Sequence, residues 1–322
     1  MGAALAASSE IVLPVFALIV LGYLLTKTPV LRGDAAVRAL TGFVMYTAIP
    51  ALLFRLYAGG LSDQGFDTSF VLAYFGPALL VYAVTMLAGR FVFGHKGPEL
   101  GLMGMSTTFS NTVLLGLPLI IMAFGEEGVI PLTMIVAFHS IILIPMTTLI
   151  IEASRVEGKG QGAAKIILSA LKSLLVHPVV MAMVAGLAFG ATGLEIVPVA
   201  DRFISLLGSA ATPTALVALG GSLAQFRVAG DLKESLFLVM GKLVILPLFV
   251  WAALTFVFDV PPLWVAVATI NASMPAGINV FILSTYYDVY TRRAASAILI
   301  GTGLSVFVSA FLIAAFTTDM LK

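Results

Sequence analysis

Two short stretches hold most of the side chains with which this sequence could bind a ligand. The first is Thr107-Thr108-Phe109-Ser110-Asn111-Thr112, followed by Gly116 and Pro118. The second is Asn271-Ala272-Ser273-Met274-Pro275-Ala276-Gly277-Ile278-Asn279. Both interrupt long apolar runs, and both disfavour a continuous helix. Pro275 lacks an N–H and clashes with the preceding turn, Gly277 permits unusual backbone angles, and the Asn side chains compete for backbone groups. Backbone groups freed in an apolar setting are costly unless they line a cavity or are buried in protein, so two broken segments at matching places predict one shared site. Half-helix N-termini there carry partial positive charge and free N–H groups, which suit a carboxylate. The candidate site is therefore Ser110, Asn111, Thr112, Gly116, Asn271, Ser273, Pro275, Gly277 and Asn279, with His139, Tyr46, Thr47 and Thr212 as flanking groups chosen for polarity and depth.

Other chemistry finds little support. Gly94-His95-Lys96-Gly97-Pro98 is a basic turn without the spaced glycines and hydroxyl of a phosphate loop. With three scattered His and no Cys, neither a zinc site nor a disulfide is expected. No serine has the His and carboxylate partners of a hydrolase, so the chain does not read as an enzyme and no cofactor is expected. By the span boundaries below, every Asp and Glu lies at or beyond a span end, so no buried carboxylate is expected and a carboxylate proton relay is disfavoured. His139 sits near mid-span as a packing histidine or a proton-exchanging one. Lys242 is close enough to the cytoplasmic end of its span to snorkel out of the bilayer, with direct anion binding as the alternative.

The elements that must position these residues follow from composition. The chain has 322 residues, 60% hydrophobic and 10% charged, with a mean hydropathy of +1.11, against roughly 25% charged in a soluble domain. That excludes a soluble enzyme of this size. The net charge of +1 gives no overall field to recruit nucleic acid. Apolar runs are long rather than strictly alternating, so the spanning elements are helices and not a β-barrel. Met1 to Glu10 contains no Lys or Arg, and the apolar run continues past Leu25, which reads as a retained first span rather than a signal peptide.

Ten spans of about the ~20 residues a bilayer requires can be drawn: Glu10 to Leu25, Ala39 to Leu56, Phe70 to Phe93, Leu100 to Phe124, Val129 to Ile151, Val176 to Leu194, Phe203 to Leu223, Ser235 to Phe258, Leu263 to Tyr286 and Ala294 to Phe316. If connections alternate sides, thirteen Lys and Arg residues fall on one side against Arg55, Arg202 and Lys322 on the other. The richer side is cytoplasmic, which places both termini outside the cell membrane.

A polar cytoplasmic linker at residues 152–175 separates a first unit, residues 1–151, from a second, residues 176–322. Pro14 and Gly22 recur as Pro178 and Gly186 at a shift of 164, and Phe91-Val92-Phe93 recurs as Phe256-Val257-Phe258 at 165. Five spans per unit force the two copies into opposite orientations. The expected fold is an all-α membrane protein of ten transmembrane helices, two inverted five-helix repeats with broken helices 4 and 9 crossing, a plan shared by many secondary transporters.

Ser110-Asn111-Thr112-Val113-Leu114-Leu115-Gly116-Leu117-Pro118-Leu119 resembles the fourth-span signature of the auxin efflux carrier family, and Pro275-Ala276-Gly277-Ile278-Asn279-Val280-Phe281 resembles its ninth. The resemblance covers essentially the whole chain. It implies scaffold and transport domains, each drawn from both repeats, a homodimer in the bilayer, and elevator-type transport of small organic anions such as malonate. By position, Asn111 matches the asparagine that contacts the substrate carboxylate, and Pro275 the ninth-span crossover proline. Two departures stand out: Ser110 replaces the proline usual in plant carriers, and residues 70–89 carry no Asp or Lys for an ionic support site. Auxin itself is therefore not implied. An organic-anion channel or a membrane-embedded ligand sensor is the alternative reading.

Overall fold

The structure is a computed structural model that describes residues 2–59, 67–154, 168, 172, 176–228, 230 and 232–320. Among these residues every regular element is helical, and the only strand-like contact is a single antiparallel bridge between Ser110 and Ala276. Helices satisfy their own backbone groups, which is what a chain this apolar requires where water is absent. The linker expected at residues 152–175 lies largely outside the described residues.

In chain order the helices are α1 (Gly2–Leu25), α2 (Asp34–Ala58), α3 (Thr68–Phe91), α4 (Pro98–Thr108), α5 (Thr112–Phe124), α6 (Glu126–Ser154), α7 (Pro178–Gly190), α8 (Pro198–Leu223), α9 (Leu232–Phe256), α10 (Pro262–Ala272), α11 (Ile278–Tyr286) and α12 (Thr291–Met320). Seven of them, α1, α2, α3, α6, α8, α9 and α12, are long and apolar enough to cross a membrane; α5, α7 and α10 are shorter apolar helices. Outward-facing side chains such as Leu13, Leu72, Leu80 and Phe307 are more than half exposed, as expected of a surface that faces lipid rather than water. The chain is thus a multi-pass, all-α membrane protein.

Proline shapes the interior of these helices in a repeated way. Four five-residue π-helical turns, Val44–Ala48, Thr112–Gly116, His139–Leu143 and Gly241–Ile245, each end two residues before a proline: Pro50, Pro118, Pro145 and Pro247. A proline ring crowds the carbonyl four residues back and offers it no donor, and widening the preceding turn relieves both problems. Tyr46, Thr47, Thr112, His139 and Lys242 all sit in these turns.

Close backbone contact fixes the long helices. A Cβ added to Gly22 would fall on the Val217 carbonyl, and one on Gly220 would fall on the Ile19 carbonyl, so α1 and α8 pack through small residues. Arg55 in α2 reaches Asp201 in α8 at 2.6 Å. At another helix end, Glu234 is 1% exposed; it meets His95 Nε2 at 2.8 Å and Arg293 Nε at 2.6 Å, and it accepts from the Tyr290 hydroxyl. This corrects the expectation that no carboxylate is buried: a residue at a span end by sequence is covered here by a neighbouring loop and α12. Burial, reinforced by the bond to Glu234, holds the Tyr290 phenol above its ordinary pKa, so it stays a donor.

Candidate functional site

The helix broken after Thr108 and the helix broken after Ala272 meet at their interruptions. Phe109 leaves helical geometry with φ −81° and ψ 107°, and Gly277 is extended at φ −75° and ψ 153°. The Asn111 N–H donates to the Pro275 carbonyl at 2.9 Å, and the Gly277 N–H donates to the Phe109 carbonyl at 2.9 Å. The freed backbone groups of each break are therefore satisfied by the other. Contact is close enough to exclude a side chain, since a Cβ on Gly277 would lie 2.9 Å from both the Ser110 carbonyl oxygen and the Phe109 ring.

Beside this crossing is a cavity of about 210 Å³. Ser110, Asn111, Thr112, His139, Gly277 and Asn279 line it, together with residues the sequence reading did not select: Thr41, Phe109 and His177 among them. Asn111 is 5% exposed, and its side-chain nitrogen has no hydrogen-bond partner among the described residues; the same holds for His139 Nε2 and His177 Nδ1. The Asn111 amide nitrogen is a buried donor without an acceptor, which is costly, and the two imidazole nitrogens add polar atoms that can donate or accept according to tautomer. His139 is oriented by its other edge: Nδ1 lies 3.5 Å from Thr112 Oγ1, and the ring packs on Phe109 and edge-on to Tyr74 and Phe75.

Asn271 and Ser273 stand behind the crossing rather than on the cavity wall. Asn271 donates to the Tyr74 hydroxyl at 3.0 Å, which lies 3.4 Å from Ser110 Oγ, while Ser273 donates to the Ile270 carbonyl. Gly116 receives the Asn271 side-chain oxygen, 3.1 Å from where a Cβ would stand. Pro275 contributes its carbonyl to Asn111 and faces away from the cavity. Tyr46 is 74% exposed and lines a neighbouring cavity with His177 and Arg38; Thr47 and Thr212 line neither space.

Lys242 departs from its expected place. Its side chain does not snorkel: it is 1% exposed, with Nζ donating to Ser110 Oγ at 2.8 Å and to the Ala272 carbonyl. The π turn directs it inward, toward acceptors from both broken helices that sequence alone could not bring together. No cluster of His, Cys, Asp and Glu suited to a metal exists among the described residues.

Comparison with known proteins points to membrane transport. Residues 7–313 match the membrane transport protein family Mem_trans. A protein of Rhizobium meliloti (strain 1021) named "Putative malonate transporter" is 31% identical over 296 residues, covering 92% of each chain. An uncharacterized transporter of Methanothermobacter thermautotrophicus is 28% identical over 93% of this chain and 95% of its own. Auxin efflux carrier component 8 of Arabidopsis thaliana is 22% identical over 89% of this chain and 91% of its own.

Proposed function

Since this chain belongs to the membrane transport protein family that includes the auxin efflux carriers, we propose that it is a secondary carrier of small organic anions, mono- or dicarboxylates such as malonate. The observation that carries the reading is Asn111, which lines the cavity at the crossing of two broken helices and whose buried amide nitrogen has no partner among the described residues. An amide N–H donor beside freed half-helix ends suits a carboxylate oxygen. At about 210 Å³ the cavity is below the ~300–1,000 Å³ of drug-sized sites, so it favours an acid of a few carbons. The name of the Rhizobium relative points to the same substrate class.

The carrier is read as ten crossings in two inverted repeats, residues 1–151 and 176–322, with both termini outside the cell membrane. The antiparallel contact of Ser110 with Ala276 supports opposite chain directions at the two breaks. Elevator-type movement and a homodimer complete the proposal; both rest on family likeness.

The test is counterflow in proteoliposomes preloaded with malonate. A hydrogen bond to a charged group is worth about 1.5–3 kcal/mol, so Asn111→Ala should raise the half-saturation concentration roughly ten- to a hundredfold. Folding should be unaffected, because the lost amide nitrogen bonds nothing among the described residues and the backbone N–H to Pro275 remains. Unchanged uptake in the variant would remove Asn111 from the site. Conductance without saturable exchange would replace the carrier with a channel.

A further inference from the structure

Lys242 does not line the cavity, yet it is tied to both breaks. Its two acceptors differ in kind and origin. The Ala272 carbonyl belongs to the last residue of α10, where a helix leaves carbonyls unpaired and its dipole is negative. Ser110 Oγ comes from the other break, on a residue that also faces the cavity. Unwound backbone carbonyls and half-helix C-terminal ends are the groups with which transporters hold a coupling cation, and the Ala272 carbonyl is one of these.

The Lys242 side chain is tightly enclosed, with Nζ held between its two acceptors. The cleft formed by Lys242, Ser106, Pro275 and Ala276 has no room for a water molecule. None of the ion pairs found among the described residues includes Lys242. Glu234, on the same helix, is already engaged by His95, Arg293 and Tyr290. Burial without a counter-charge disfavours the protonated amine, and an anion in the cavity reached through Ser110 would favour it.

We propose that Lys242 is a tethered cation: its ammonium takes the place of a coupling sodium ion between the two breaks and, acting through Ser110, balances the carboxylate of the bound anion. Transport is then independent of sodium. The second half of this statement rests on the anion-carrier reading; the cation position does not.

The experiment uses the full chain, purified and reconstituted, as wild type, Lys242→Met and Lys242→Ala. Melting temperature is measured in sodium, potassium and choline chloride, with and without n-propylammonium. Wild type should melt alike in all three salts. Lys242→Ala should melt lower in choline and recover with sodium or n-propylammonium, while Lys242→Met, which fills the space without charge, should not recover. In malonate counterflow, wild type should be indifferent to replacing sodium by choline, and Lys242→Met should raise the half-saturation concentration by about tenfold or more.

Wild-type melting or exchange that requires sodium overturns the proposal, and this arm stands even where a variant fails to fold. Variants that melt and exchange like wild type in choline overturn it as well. If wild type exchanges no anion at all, the carrier reading falls, and the melting arm alone decides the cation position.

Discussion

Gly277→Ala tests the crossing directly. Its added Cβ would lie 2.9 Å from the Ser110 carbonyl oxygen and 2.9 Å from the Phe109 ring, against an ordinary contact of about 3.4 Å or more. The two breaks must separate by roughly half an ångström to admit it. That movement stretches both backbone bonds between them, each now 2.9 Å, toward the limit of useful hydrogen-bond geometry. Overpacking costs about 1–3 kcal/mol and weakening two bonds adds up to roughly 1 kcal/mol each, giving about 1–5 kcal/mol. Gly303→Ala in α12 is the control, because nothing lies within 4 Å of its added Cβ; there helix propensity should raise stability by up to ~1 kcal/mol. The assay is thermal unfolding of both variants in one detergent, paired with malonate counterflow. Gly277→Ala should melt well below wild type and lose exchange. Wild-type melting and exchange in Gly277→Ala would refute the close antiparallel contact on which the site depends.

Two further variants probe the frame that holds the site. Glu234→Ala should lower the melting temperature by the equivalent of the low end of ~3–5 kcal/mol for a broken buried ion pair, because the Arg293 side chain it strands is 32% exposed; Glu234→Gln should fall between, and unaltered melting in both would show that the cluster carries no stability. Gly220→Val should force α1 from α8 against the Ile19 carbonyl at about 3 kcal/mol or more, read as a drop in melting temperature; a variant as stable as wild type would show that the two backbones are not in contact.

The breaks at residues 107–112 and 271–279 were legible in the sequence because proline, glycine and asparagine act locally: each denies the helix a donor, a Cβ or an uncontested backbone partner. Their mutual contact was inferable only from symmetry, and the donors to the Pro275 and Phe109 carbonyls are tertiary facts. Lys242 was misread because distance to a span end says nothing about the face on which a side chain emerges; the π turn ahead of Pro247 decides that. Glu234 was misread for a related reason, since a span end meets water only where no loop covers it. His177 escaped notice as one polar residue before Pro178, although a lone imidazole at the start of an apolar run was a signal available to be used.

Those four turns carry a consequence for the helices as rigid bodies. Each holds one residue more than an α-helix would use over the same length, so the segments before and after it are out of phase by about 100°. Loss of a single residue from Gly241–Ile245 would remove the widened turn, leave Pro247 to crowd the carbonyl four residues back, and swing Lys242 away from Ser110 and Ala272. A deletion in a membrane-spanning helix ordinarily scrambles its lipid-facing stripe; here it would also disconnect the site. Variation in the length of these helices, rather than in their polar residues, is therefore a route by which a chain of this design could lose or acquire its buried charge.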